Sequence, residues 1–524
     1  MLLRPPTRAA CLLPILAFLA CGGSDPSGPA TPSEPQPDPP RAATVTVAPG
    51  ALGGLTAGDT ATLTATVVDQ FGATMTGATV QWSSSDANTA SVTASGQVTA
   101  VTRGQATITA TSGSAQGTAG VTVTSLRLLT EFGDTVQNAV LTDSLFAIWW
   151  DRQTDRSADA QSLLSMLDDV RLQALDMGLA DPPNPARGSY YNVYIHVPGP
   201  GNDNYPDWGL GQSTDAFGRP FLTIPSDGVS DPQSVYHEGF HVFQYAADSP
   251  GFAYDGDTGW YVEAAAEWFA WTRHPDHVAS HLTALALTAV PFQAMWRSWS
   301  NGEGGTPDTW NRLVRQYAFG SYLTYLSSVR GVPASDIVGG FYAGTPLSPQ
   351  EYLLRRQPGL PGMFADWAAR AVADFDYVSR AQYDRARLEF SLAGDSTDAH
   401  WYVTTLAASG TDGGWFSPPP DQTPRGWSFN VVRLTAGSAA SYAVEFDGDD
   451  AGSEGAAAAF QLRALLRGTG GDTVQTLDLA DGRDGAWTLT VPANQTDVYL
   501  VVASVAEHFG GNQTYGYRLK VTRQ

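Results

Sequence analysis

The chain has 524 residues, too many for one domain and enough for roughly three or four. Its formal net charge is −23, with 52 acidic against 29 basic residues and Lys520 as the only lysine. That balance excludes a general nucleic-acid binder, which needs a basic face for phosphate, while 43% hydrophobic and 11% aromatic residues supply sizeable cores.

Both cysteines, Cys11 and Cys21, fall at the start, so no disulfide framework is available to the rest of the chain. Arg4 and Arg8 precede an apolar run from Leu12 to Ala20, followed by Cys21-Gly22-Gly23. Such a run is too short to span a bilayer as a helix and fits the core of a signal peptide. Phe18-Leu19-Ala20-Cys21 resembles a bacterial lipobox, although Phe18 departs from the usual aliphatic residue there. The resemblance implies a leader over 1–20, lipidation at Cys21 and membrane attachment through acyl chains rather than a transmembrane helix. The expected location is the bacterial cell envelope, at the outer membrane or cell surface, with plain secretion as the alternative. Residues 21–42 contain seven prolines among small and polar residues, a composition that forms an extended tether of up to ~65 Å.

From 43 to 124, short Thr- and Val-rich runs separated by Gly and Asp predict a small antiparallel sandwich. The runs are Thr44–Val47, Thr60–Val68, Val80–Trp82, Gln97–Val101, Ala106–Thr111 and Gly120–Thr124. The stretch from Trp82 to Thr111 resembles the bacterial group 2 immunoglobulin-like domain, which implies a spacer or adhesive module with cell-surface or matrix contacts.

Residues 125–395 read as an α+β domain. Ser144–Asp151 and Tyr190–Val197 predict buried strands, Ala158–Leu179 has helical periodicity, and Phe221–Pro225 is a short strand expected at a sheet edge. A helix begins near Pro232 and carries His237-Glu238-Gly239-Phe240-His241. Residues i and i+4 share a helix face, so His237 and His241 can bind one metal ion, with Glu238 in reach as a general base. The apolar surroundings (Val235, Tyr236, Phe240, Val242, Phe243) bury this helix, where unpaired His and Glu would be costly. Gly239 implies close approach of substrate or a neighbouring backbone. Zinc needs a third protein ligand. The metzincin pattern is excluded, because Ala247 stands where its third His would be and Gln244 where its Gly would be. Trp260–Phe269 instead places Glu263 and Glu267 at i and i+4 on a second apolar helix. Two such carboxylates need a cationic partner, and zinc on Glu263 with Glu267 accepting from an imidazole supplies one.

HEGFH followed by WYVEAAAEW resembles the gluzincin metallopeptidases, the thermolysin-like clan, over about 230–272. The flanking HE-x-x-H-x-x-Q and W-x-x-E-A-x-A-x-W segments are similar to bacterial zinc peptidases of uncharacterised substrate. The resemblance implies a zincin-like fold, Zn2+ held by His237, His241 and Glu263, Glu238 as base, and Glu267 bonded to a ligating imidazole. The implied reaction is peptide-bond hydrolysis by metal-activated water. Tyr317 and His277 are candidates for stabilising the oxyanion. His274, His277 and His281 form a rival cluster that reads as a solvated helix start. The acidic loops Asp255–Asp257 and Asp447–Asp450 match no full calcium-loop pattern and read as solvated turns.

Seven runs between Trp427 and Thr522 predict a β-sandwich in the C-terminal domain, 396–524, as structural cap or accessory binding module. The chain is thus expected to be multidomain: an Ig-like β-sandwich, an α+β zincin-like catalytic domain and a C-terminal β-sandwich. The expected protein is an envelope-anchored, monomeric zinc metallopeptidase acting on peptide or protein substrates. The alternative is a non-catalytic adhesion or binding lipoprotein retaining a structural metal site.

Overall fold

The computed structural model describes residues 38–132, 137–143, 145–182, 188–197, 210–247, 249–274, 291–296, 316–375, 403–408, 414–435 and 440–524. Cys21, His277 and His281 lie outside them. The molecule is multidomain and mostly β-sheet.

The N-terminal module comprises Ala42–Ala48 (β1), Ala51–Thr56 (β2), Thr60–Thr62 (β3), Thr64–Asp69 (β4), Gln81–Ser84 (β5), Ala90–Val92 (β6), Gln97–Ala100 (β7), Gly104–Ser112 (β8) and Ala115–Ser125 (β9). The run Thr60–Val68, expected as one strand, is two. β3 pairs with β7 and β4 with β1, and the break is the buried Leu63, whose N–H donates to the Gly96 carbonyl at 2.8 Å. Alternating Val and Ala positions on β8 and β9 fill a separate core.

In the middle region, Ala139–Thr142 (β10), Phe146–Trp150 (β11), Tyr191–His196 (β12), Gly211–Thr214 (β13) and Pro220–Pro225 (β14) form one mixed sheet in the order β10-β11-β12-β14-β13. β11, β12 and β14 run parallel, and β10 and β13 close the edges antiparallel. The expected edge strand, Phe221–Pro225, is therefore interior. The edge is β13, a Gly-Gln-Ser-Thr segment without the apolar signature that made β14 legible. Side chains alternate across the sheet. Phe146, Ile148, Val193, Ile195, Leu222 and Ile224 point into the main core, and Ala147, Trp149, Tyr194 and Phe221 form a smaller cluster on the other face.

The linker out of the Ig-like module runs across that second face. The Leu129 carbonyl accepts from Asn192 Nδ2 (2.8 Å), the Thr130 and Tyr194 hydroxyls bond (2.6 Å), and Phe132 packs edge-on against Tyr194 and Phe221.

Ser157–Asp176 (α1), Pro232–Gln244 (α2) and Gly259–Arg273 (α3) bury their apolar faces in the main core. α2 starts where Asp231 accepts from the Ser234 N–H and Pro232 occupies the first turn, which needs no donor there. Further helices are Gly320–Thr324 (α4), Ala334–Val338 (α5), Pro349–Arg356 (α6) and Leu360–Phe375 (α7), with a π-helical turn at Tyr325–Val329 directly after α4.

At the C-terminus, Ala407–Ala408 (β15), Trp415–Ser417 (β16), Ser428–Thr435 (β17), Ala440–Gly448 (β18), Phe460–Gly468 (β19), Thr473–Leu477 (β20), Asp484–Val491 (β21), Gln495–Ser504 (β22) and Tyr517–Arg523 (β23) make two sheets, β15-β16-β23-β18-β21 and β17-β22-β19-β20. Strands β19 and β22 of the second sheet are buried on both faces. Val498, Leu500 and Val502 face the other sheet, whereas Tyr499, Val501 and Ala503 join the same core as α1–α3. Phe364 and Trp367 of α7 meet Trp427 and Phe429 edge-on, and Arg463 donates to Asp366 (2.5 Å) and the Gly362 carbonyl (3.1 Å).

Candidate metal centre

α2 and α3 lie side by side, and the four predicted side chains meet between them. His237 Nε2 is 3.1 Å and His241 Nε2 3.3 Å from the same oxygen of Glu263, Oε2. One ligand atom each from His237, His241 and Glu263 lies within 4.8 Å of the others, and all three residues are buried. Ligands at the usual ~2.0–2.2 Å around a tetrahedral zinc ion stand about 3.3–3.6 Å apart. The two His–Glu separations therefore match edges of such a site to within a few tenths of an ångström.

The outer nitrogens are held as well. His237 Nδ1 faces Glu267 Oε2 at 3.0 Å, and His241 Nδ1 faces Gln244 Oε1 at 2.7 Å. With acceptors on both Nδ1 atoms, the Nε2 lone pairs are free to point at the centre. Without a metal, His237 has carboxylates at both nitrogens. Burial alone would lower its pKa, but hydrogen bonds to Glu263 and Glu267 outweigh it and hold the imidazole well above its ordinary 6.5. Burial opposes ionisation of Glu263, yet its electrostatic and hydrogen-bonding contacts with the His241 and His237 imidazoles bring its carboxyl far below the ordinary range.

Glu238 is half-buried on the next face of α2. Burial raises its pKa, with the nearby Glu263 and Glu267 adding to the rise and the two imidazoles opposing it. Tyr317 lies over the site, its ring 5.5 Å from that of His237. Burial, then the charges of Glu263 and Glu238, push its hydroxyl well above 10, so it is a neutral donor.

Tyr254, which the sequence did not single out, is a second phenol at the centre. Its hydroxyl is also pushed up by burial and then by Glu263, and it accepts a 3.0 Å bond from the buried Gln316. It sits in the irregular segment between α2 and α3, where no periodicity marks a residue's direction. The spacing around Gly239 has a different cause from the one expected. A Cβ there would stand 2.9 Å from Leu167 Cδ2 and 3.4 Å from Val170 Cγ2, so the glycine admits side chains of α1 rather than substrate or backbone. Glycine likewise lets α4 approach α3. A Cβ on Gly320 would stand 2.9 Å from both Cβ and Cγ of Glu267. His274, the described member of the rival histidine cluster, packs edge-on against Tyr236 with ring centroids 4.6 Å apart. Among the described residues, no group of three potential ligands other than His237, His241 and Glu263 comes together.

Comparison with known proteins bears on the N-terminal module. Residues 55–124 match the bacterial Ig-like domain (group 2). Similar solved structures include the S-layer protein SbsC domains 4 and 5, at 30% identity over 17% of this chain and 54% of that one, with a TM-score of 0.15. Domains 5-6 of the same S-layer protein match at 28% identity over 20% of this chain and 52% of that one, with a TM-score of 0.16. The chain thus spans about half of those structures. No curated protein matches the chain.

Proposed function

We propose that the chain is a zinc-dependent peptidase of the gluzincin type, held at the bacterial cell envelope through its N-terminus. The observation that carries this reading is the single Glu263 oxygen lying 3.1 and 3.3 Å from the inward nitrogens of two histidines. His237, His241 and Glu263 would hold the ion. When bound, it supplies a Lewis acid that polarises a carbonyl and lowers the pKa of a water.

The chain's own residues supply the rest. Glu238, its pKa raised toward neutrality, takes a proton from the attacking water and returns it to the leaving amine. Tyr317 and Tyr254 keep their phenolic protons at any physiological pH and can donate to the oxyanion. Glu267 holds His237 in place and shares in neutralising it. The Ig-like match over residues 55–124 supports a cell-surface or extracellular location, in keeping with the lipobox-like leader. No helix among the described residues is long and apolar enough to cross a membrane.

The test is zinc content together with cleavage of a broad peptide library by the wild type and by Glu238→Gln. Bound zinc in both, with hydrolysis reduced by about 10²–10⁴-fold in the variant, is the expected result. Zinc without cleavage by either protein would overturn the peptidase reading. It would favour the second reading, a surface-binding protein with a structural metal, for which the Ig-like module speaks.

A further inference from the structure

Gln244, which stands where a metzincin glycine would be and closes the HE-x-x-H-x-x-Q segment, lies between the two candidate ligand helices. It is the last residue of α2 and is 3% exposed. Its Oε1 faces His241 Nδ1 at 2.7 Å, and its Nε2 donates to the Val262 carbonyl of α3 at 3.0 Å. Val262 directly precedes Glu263 in the chain.

We infer that Gln244 is a positioning residue that sets the tautomer of His241 and keys it to the helix bearing Glu263, and thereby sets the affinity of the centre for zinc. This rests on the metal reading above. A carbonyl oxygen can only accept, so the Val262 carbonyl requires the NH2 end of the amide. The carbonyl end of Gln244 is then turned toward His241, and it too can only accept. Nδ1 of His241 must therefore carry the proton, which leaves the Nε2 lone pair directed at the centre. The order runs from a backbone oxygen of one helix, through an amide, to the protonation pattern of a ligand on the other. A glutamine satisfies both ends. A carboxylate would satisfy the histidine but face the carbonyl with another acceptor, and an apolar side chain would satisfy neither.

Zinc dissociation constants, measured by competition with a chromophoric chelator on the full chain, test this without reference to hydrolysis. Gln244→Met, close to glutamine in size, removes both bonds and should weaken zinc binding about 10- to 100-fold. Gln244→Glu restores an acceptor for Nδ1 and should recover most of that loss. Thermal unfolding of the metal-free variants checks that each is folded. Wild-type affinity in Gln244→Met, or equal weakening in Gln244→Met and Gln244→Glu, would overturn the positioning role while leaving the metal centre standing. A wild type that binds no zinc would overturn both.

Discussion

Glu263 and His237 are ionised in opposite senses and buried together, which makes the metal-free protein sensitive to pH from both sides. The folded pKa of Glu263 is depressed, so its contribution is present above the unfolded value near 4.5 and is lost as pH falls through the lower folded one. That of His237 is raised, so its contribution is present below the unfolded value of 6.5 and is lost as pH rises through the higher folded one. In the chelated protein, the contribution of this pair to thermal stability should be fullest between those two values and decline on either side. Zinc binding replaces the His237 proton, so at pH 7 the ion should enter with proton release. Calorimetry in buffers of different ionisation enthalpy reads this directly. A binding heat independent of buffer would contradict a protonated His237.

At the level of elements, the centre depends on how closely four helices approach in two pairs. α2 comes against α1 through Gly239, and the pair is tied by the 2.6 Å bond from the Tyr236 hydroxyl to Asp169. α4 comes against α3 through Gly320, directly behind Glu267. Gly320→Val should force α4 away from Glu267, costing about 1–3 kcal/mol in urea unfolding and displacing Tyr317 from His237. Unchanged stability in that variant would mean that the approach is looser than the 2.9 Å separations indicate.

Much of this level was legible in the sequence. HEGFH and WYVEAAAEW are each local patterns whose spacing places two candidate site residues on one face of a helix, and Asp231-Pro232 marks where the first begins. Tyr254 and Gln316 carried no such signal. One lies in an irregular segment, and the two are 62 positions apart in the chain, so their meeting depends on tertiary packing.

Over the whole molecule, the C-terminal sandwich is not a separately folded appendage. Trp427, Phe429, Tyr499 and Val501 belong to the same core as the helices of the centre. The junction is also polar: Asp257 accepts from the Gly511 N–H (2.7 Å), and Trp296 Nε1 donates to the Gly511 carbonyl (2.6 Å). Asp257 lies three residues after Tyr254, so the sandwich helps to hold the segment that carries that phenol. Trp427→Ala should therefore cost about 3–5 kcal/mol and lower the unfolding temperature of the middle region and the sandwich together. Two independent calorimetric transitions for these regions would refute a shared core. A sequence signal for this existed in the unbroken apolar run Val498–Ala503, since a strand with one solvated face alternates and a strand covered on both faces does not.

The sequence by itself determined the Ig-like module and the side chains that each of the two helices brings to the candidate centre. The Ig-like pattern, the two His around Glu238 and the two Glu of the second helix are all short-range, set by periods of two and 3.6 residues. Only the tertiary structure decided that the two helices lie side by side with one carboxylate oxygen serving two imidazoles. It also decided that β14 is covered by β13, and that the last sheet closes over the same core as the candidate centre. Those outcomes depend on side-chain volume and on hydrogen bonds between residues far apart in the chain, which no local period encodes.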